Sequence, residues 1–307
     1  MTPLMETRRF ALRCIVANLS LAALFVAAPA PGFAEAGKAP APAHQSGPCA
    51  GDNGGLTLPE GFCATIFADG IRQARHLAVA ADGTVYVNAR HTKQSSEGTL
   101  VALKDTNGDG KADVILAFGD PQGGATGIAL YKNWLYAEIK DRIVRYALNE
   151  GDTVPKGEPE IVVSGLPLSG NHVAHPFAID PNGNLFVDLG SATNSCQKQD
   201  RIEESPGLKS CEELKTRGGI WRYDANKINQ KFSPSERYAT GLRNAEGIDF
   251  DSAGRVFATQ HGRDQLYENW PDLYSSERGS ELPAEELVLL KQGGDYGWPF
   301  CYFDGEQ

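Results

Sequence analysis

The chain has 307 residues, a formal net charge of −10, and dense punctuation by 34 glycines and 18 prolines. That length supports a sizeable core in one or two domains. The acidic balance excludes a nucleic-acid partner, which needs a basic face for its phosphates, and the Gly/Pro frequency suits a many-stranded fold with short turns.

Residues 1–34 read as an export leader: "METRR" is a positive start, "IVANLSLAALFVAAPA" an apolar stretch, and Gly32 and Ala34 are small residues at a cleavage site. The apolar run is short for a membrane span and is followed by "PAPG". Cys14 sits too early, in basic context, to be a lipid-bearing cysteine. A mature chain beginning near Glu35, with no stable membrane span, is therefore expected in the periplasm or outside the cell. Residues 35–56 read as a disordered Ala/Pro linker. Export implies an oxidising compartment. The simplest pairing is Cys49–Cys63 and Cys196–Cys211, each closing a short loop, with Cys301 left over; spacing alone leaves connectivity open.

From residue 57 onward one pattern returns: "LAVAADGTVYVNA" (77–89), "IALYKNWLYAE" (128–138), "FAIDPNGNLFVDLG" (177–190) and "IDFDSAGRVFATQ" (248–260). Each is a short apolar strand, a tight turn, and a strand of alternating β-branched or aromatic residues. The turn positions Gly83, Asn133, Gly183 and Gly254 are 50, 50 and 71 residues apart, and the longer interval holds an insertion with Cys196 and Cys211. Further strand pairs follow, such as "GTLVALKD" with "DVILAFGD" and "DRIVRYAL" with "EIVVSGL". Four strands per unit in tandem predict an all-β fold, a β-propeller with about four blades in residues 57–307. An irregular β-sandwich would not explain the returning hairpin. In a propeller the segments ahead of each inner strand meet at the axis. Here they are 120–127, 170–176 and 240–247, all polar and rich in Gly or amide side chains.

Several groups could carry chemistry. "DTNGDGKAD" places Asp105, Asn107, Asp109 and Asp113 as oxygen donors around Gly110, like the start of a calcium loop, although Leu116 stands where an EF-hand carries Glu. It lies between two strands, which predicts a structural calcium in a hairpin. His172 and His175 are three apart on a loop and lack the partners of a zinc site. An imidazole there suits general-base work on an alcohol, or simply bonds to backbone. Arg243 and Asn244 stand side by side ahead of an inner strand, and Gly262 ends one.

Together, "QGGATGIAL", "NHVAHPFAIDPNGNLFV", "TGLRNAEGIDFDSAGRVFATQHG" and "LVLLKQGGDYGWPFCYFDG" resemble the soluble quinoprotein glucose/sorbosone dehydrogenases, from about Leu58 to the C-terminus. The nearest branch is similar to the sorbosone dehydrogenase-like proteins. The resemblance implies a six-bladed propeller that oxidises sugars or polyols with pyrroloquinoline quinone and calcium, passing electrons to a quinone or cytochrome acceptor. It implies that His172 is the base and that Arg243 polarises the quinone carbonyl. It also makes Asn244, Asn171 and Gln122 pocket residues and gives calcium the backbone carbonyls of Gly262 and Arg263. Asn171 replaces an acidic neighbour of the base found in glucose-oxidising members, which argues against glucose. Four repeats against six blades imply a shortened chain, and Cys301 without a local partner agrees. Two other readings are a lactonase-like calcium hydrolase, for which Glu246 is the well-placed carboxylate, and a non-catalytic propeller fragment.

Overall fold

A computed structural model describes residues 51–71, 73–90 and 98–303. The expected leader, most of the expected linker and Cys49 lie outside the described residues. Those described fall in one compact unit, Ser46–Gln307. Its first turn, Asn53–Gly55, is capped by Asp52, and the Asn53 carboxamide accepts from Ala64 N–H.

The first sheet runs β1 (Ala74–Val79), β2 (Val85–Ala89), β3 (Leu100–Lys104), β4 (Val114–Phe118), each antiparallel to the last. The second repeats the meander with β5 (Ile128–Tyr131), β6 (Trp134–Ile139), β7 (Arg142–Ala147) and β8 (Glu160–Ser164). The third has β9 (Phe177–Ile179), β10 (Asn184–Leu189) and β11 (Gly219–Asp224). The chain then returns to the second sheet, adding β12 (Gln230–Lys231) parallel to β8, before β13 (Arg237–Thr240) completes the third. The fourth sheet has three strands, β14 (Gly247–Phe250), β15 (Val256–Gln260) and β16 (Glu286–Leu289). Two short helices, α1 (Leu266–Asn269) and α2 (Ser276–Glu281), lie between β15 and β16. The innermost strands β1, β5, β9 and β14 pack in sequence, each against the next. This is the expected propeller, with four blades.

Strand alternation explains the packing. The second strand of a middle blade is buried on both faces, and neighbouring residues serve different cores. Leu135 of β6 joins Tyr86 and Leu100 of the first blade, whereas Tyr136 joins Leu185 and Trp221 of the third. Likewise Leu185 faces back to the second blade and Phe186 forward to Val256 and Ala258 of the fourth. Each such side chain contributes on the order of 1.5–3 kcal/mol by leaving water. The terminal blades have one uncovered face: Leu77 and Val79 of β1 are 60 % and 58 % exposed, and Leu287 of β16 is 70 % exposed.

Hairpin turns use the expected chemistry with one difference. Gly83, Gly183 and Gly254 take positive φ, but in the second blade that conformation falls on Lys132 (φ 53°) and not on Asn133. Tyr131 pairs directly with Trp134, so this loop has only two residues and its first must turn.

Buried polar side chains recur fifty residues apart, Asn88, Glu138 and Asp188, all fully buried, and the first two tie blade to blade. Asn88 donates to Gly127 O at 2.8 Å and accepts from Ala125 N at 3.2 Å, both ahead of the second blade. Glu138 accepts from Thr126 and Gly127 N–H of its own blade, and from His175 N and Nδ1 ahead of the third, at 2.7–3.0 Å. Both His175 ring nitrogens face acceptors, since Nε2 meets Pro167 O at 3.0 Å. Both nitrogens are thus engaged by the protein and neither faces a substrate. His175 shapes the approach to β9.

Candidate functional site

The loops ahead of β9 and β14 meet at the end of β10. Gly190, just beyond β10, makes this possible: a Cβ there would stand 2.6 Å from His172 Cβ and 2.9 Å from Asn244 Oδ1. The absence of a side chain lets the histidine loop and the Arg243–Asn244 loop close on the same point.

His172 is fixed by Ser191. Its Nδ1 lies 2.8 Å from Ser191 O and 3.0 Å from Ser191 Oγ. A carbonyl only accepts, and the hydroxyl donates to Thr193 O at 2.6 Å, so Nδ1 carries the proton and Nε2 the lone pair. Burial, reinforced by the Arg243 guanidinium, pushes the His172 pKa down to about 4. The ring is neutral at physiological pH. Arg217 holds the loop from below, donating from Nη1 to the carbonyls of His172 and Gly190 at 3.3 Å.

Arg243 is 2 % exposed. Its Nε and Nη2 donate to the backbone and side-chain oxygens of Asn194, both at 3.0 Å, and Nη2 lies 3.2 Å from Asp264. Burial lowers its pKa, against the pull of Asp264. Asn194 also exchanges bonds with the Asp264 backbone and accepts from Trp298 Nε1, so one buried amide organises the site's far wall. It belongs to the insertion after β10. The insertion is folded back by Glu213, which accepts from Ala192 N at 2.5 Å and from Thr193, and by the Cys196–Cys211 disulfide. Cys63 is also disulfide-bonded.

The other expected residues are placed as follows. Asn244 is buried and donates to Glu246 Oε1 at 3.3 Å. Asn171 is exposed and donates to Asp200 at 2.8 Å. Gln122 is exposed ahead of β5, with its backbone N–H on Asp120, and no described contact joins it to His172 or Arg243. Gly262 and Arg263 follow β15, where a Cβ on Gly262 would meet Pro283 at 2.6 Å. Among the described residues no donor is bonded to either carbonyl. Asp105, Asn107, Asp109 and Asp113 form a separate turn between β3 and β4. Asp105 accepts from three backbone N–H groups there, chiefly Gly110 and Gly108, which hold its pKa below the usual carboxylate value.

Sequence reasoning missed Ser191, Asn194, Glu138 and Asp188. The last two had a signal: an acidic residue inside an apolar strand, in "LYAEI" and "LFVDL". Among the described residues neither Asp188 carboxylate oxygen has a hydrogen-bond partner of good geometry, and burial raises its pKa well above normal, with the nearby Ala245 N–H a partial offset and Glu246 and Glu138 adding to the rise.

No curated protein sequence matches the chain. Among solved structures, it is similar to a carbohydrate-active enzyme of family AA12 from Trichoderma reesei, with TM-score 0.61 and 19 % identity over 78 % of this chain and 58 % of that one. The holo pyranose dehydrogenase PQQ domain from Coprinopsis cinerea gives TM-score 0.59 and 19 % identity, covering 77 % and 56 %. The PQQ-bound aldose sugar dehydrogenase from Streptomyces coelicolor gives TM-score 0.50 and 25 % identity, covering 76 % and 65 %. The chain thus spans less than two-thirds of each of these structures. Residues 56–306 match the TrAA12-like family, and the chain belongs to it.

Proposed function

We propose that this chain carries part of the site of an oxidoreductase that oxidises a sugar or polyol carbinol with pyrroloquinoline quinone and calcium. The observation that carries the reading is the fixed tautomer of His172, whose Nδ1–H is held on Ser191 O beside the buried Arg243. The residues suit the two groups. The carbonyls of Gly262 and Arg263, which no donor meets among the described residues, are hard oxygen donors of the kind calcium takes. Arg243, Asn244, Asn171 and Gln122 supply donors for a polar ring system. When bound, the quinone supplies a two-electron acceptor for hydride. His172 Nε2 takes the substrate hydroxyl proton as the carbinol carbon loses hydride. Arg243, fixed by Asn194, offers a preorganised positive charge where negative charge develops. Asp105, Asn107, Asp109 and Asp113 hold a second, structural calcium away from the reaction. Electrons leave to a quinone or cytochrome acceptor, and the protein works outside the cytoplasm. Asn171 favours a substrate other than glucose.

The test is an absorbance titration with pyrroloquinoline quinone and calcium, followed by aldose-dependent dye reduction. His172→Ala should lower turnover by about 10²–10⁴-fold while cofactor affinity stays within twofold. Lost affinity would remove the base assignment, and no spectral shift with the wild-type chain would remove the quinone. A calcium-dependent hydrolase is the second reading, favoured by the orphaned Asp188 carboxylate near Asn244 and Glu246. Calcium-dependent lactone hydrolysis without quinone would select it.

A further inference from the structure

A cleft of about 460 Å³ opens between the last strand of the first blade and the outer strands of the second. Phe118 at the end of β4 lines one side, Tyr146 of β7 and Ile161 of β8 the other, with Pro155 and Pro159 beside them. These are smooth apolar surfaces, and the cleft lies in the size range of small-molecule sites. Its polar groups belong to a loop already tied to the site. Asp120 opens the 120–127 segment, whose far end, Thr126 and Gly127, is bonded to Glu138, the carboxylate that holds His175.

Tyr146 is 5 % exposed, and its ring stands edge-on to Phe118 at 5.8 Å. Its hydroxyl makes no hydrogen bond among the described residues. Burial, then the negative charges of Asp120 and Glu158, pushes its pKa up to about 12, so the group stays an O–H donor. Gly119, at φ 78°, keeps it clear, since a Cβ there would stand 3.2 Å from the hydroxyl. Around it the charges balance. Asp120 accepts from Gln122 N–H at 2.8 Å and faces Lys140 at 3.4 Å. Glu158 is exposed and enters no hydrogen bond or ion pair among the described residues. Arg142 turns Nε and Nη2 to Asp141, both at 2.9 Å, which leaves Nη1 for another acceptor. Two acids and two bases favour neither an anion nor a cation. Donors and acceptors set around an apolar floor suit a neutral ring that carries hydroxyls on its edge and C–H groups on its face.

We propose that this cleft between the first two blades is a binding subsite for a neutral pyranose sugar, separate from the His172 site. Sugar hydroxyls meet the Tyr146 hydroxyl, Glu158 and Arg142, and the C–H face of the ring lies on Phe118 and Tyr146. The subsite needs neither quinone nor calcium, so it stands or falls apart from the function proposed above.

Isothermal calorimetry with D-cellobiose, on the full 307-residue chain without quinone or calcium, tests it. The wild type should bind. Tyr146→Phe keeps the buried ring and removes only the hydroxyl, and affinity should fall about fivefold. Arg142→Ala combined with Glu158→Ala changes two side chains at the rim of the cleft and should lose about tenfold or more. His172→Ala should stay within twofold of the wild type. Should Tyr146→Phe melt below the wild type, the double variant alone decides. The proposal is overturned if cellobiose does not bind the wild type, or if it binds the double variant, or a stably folded Tyr146→Phe, as tightly as the wild type. Affinity lost in His172→Ala and kept in the cleft variants puts the sugar at His172, which sinks the subsite and leaves the proposed function intact. A failed quinone titration with cellobiose binding that follows the cleft variants does the reverse.

Discussion

Burial and the Arg243 guanidinium both disfavour the imidazolium form of His172, bringing its pKa from 6.5 to about 4. Between those values the unfolded chain holds a proton there that the folded chain does not, so folding stability falls as pH drops through the window and is complete above 6.5. Urea unfolding at stepped pH should show that slope in the wild type and a reduced one in His172→Gln. Under the function proposed above, the same shift should move the acid limb of kcat/KM below pH 6.5. Gly190 tests the geometry independently. Gly190→Ala puts a methyl 2.6 Å from His172 Cβ and should cost about 1–3 kcal/mol by overpacking. Turnover should fall more than stability implies, measured on protein that still melts cooperatively, because the methyl drives apart the two loops that must meet.

Loops are held here by strands that do not belong to them. Glu138 of β6 holds two N–H groups of its own blade and two donors of His175 in the next. Glu138→Ala should therefore destabilise by about 3–5 kcal/mol, read from chemical denaturation, since four buried donors lose their acceptor. The insertion after β10 is stapled differently. Replacing Cys196 and Cys211 by Ser opens a crosslink of sequence separation 15, worth about 3 kcal/mol in chain entropy. The functional loss should exceed this, because Ser191 and Asn194 orient His172 and Arg243. The hairpins were legible because alternation and the turns at Gly83, Gly183 and Gly254 are local signals. The two-residue β12, the three-strand fourth blade and the helices at 266–269 and 276–281 carry no such period. In the site, His172 and Arg243 were visible as side chains in a resembling motif. Ser191 acts on His172 mainly through its carbonyl, and Asn194 through contacts across 49 residues to Arg243, neither of which residue type announces.

Each inter-blade core draws on two sheets, and among the described residues the end blades keep one face without a neighbour. Leu77 and Val79 at one end and Leu287 at the other are more than half exposed. Apolar sheet surface of this kind promotes association. Light scattering during size-exclusion chromatography should show concentration-dependent oligomers for the wild type, and a shift toward monomer for Leu77→Lys combined with Leu287→Lys. An unchanged oligomer would place the contact elsewhere.

The buried ties between blades have a direction. Asn88 of the first blade grips the loop that opens the second, and Glu138 of the second grips the loop that opens the third. In the fourth blade the matching position is Thr259, whose hydroxyl accepts from Gly247 of the same blade. Every forward tie is thus made by an earlier residue waiting for a later one. A ribosome delivers the chain in that same order, so each finished blade presents a ready receptor for the next segment to emerge. Pulling from the C-terminus would open the Glu138 latch before the Asn88 latch.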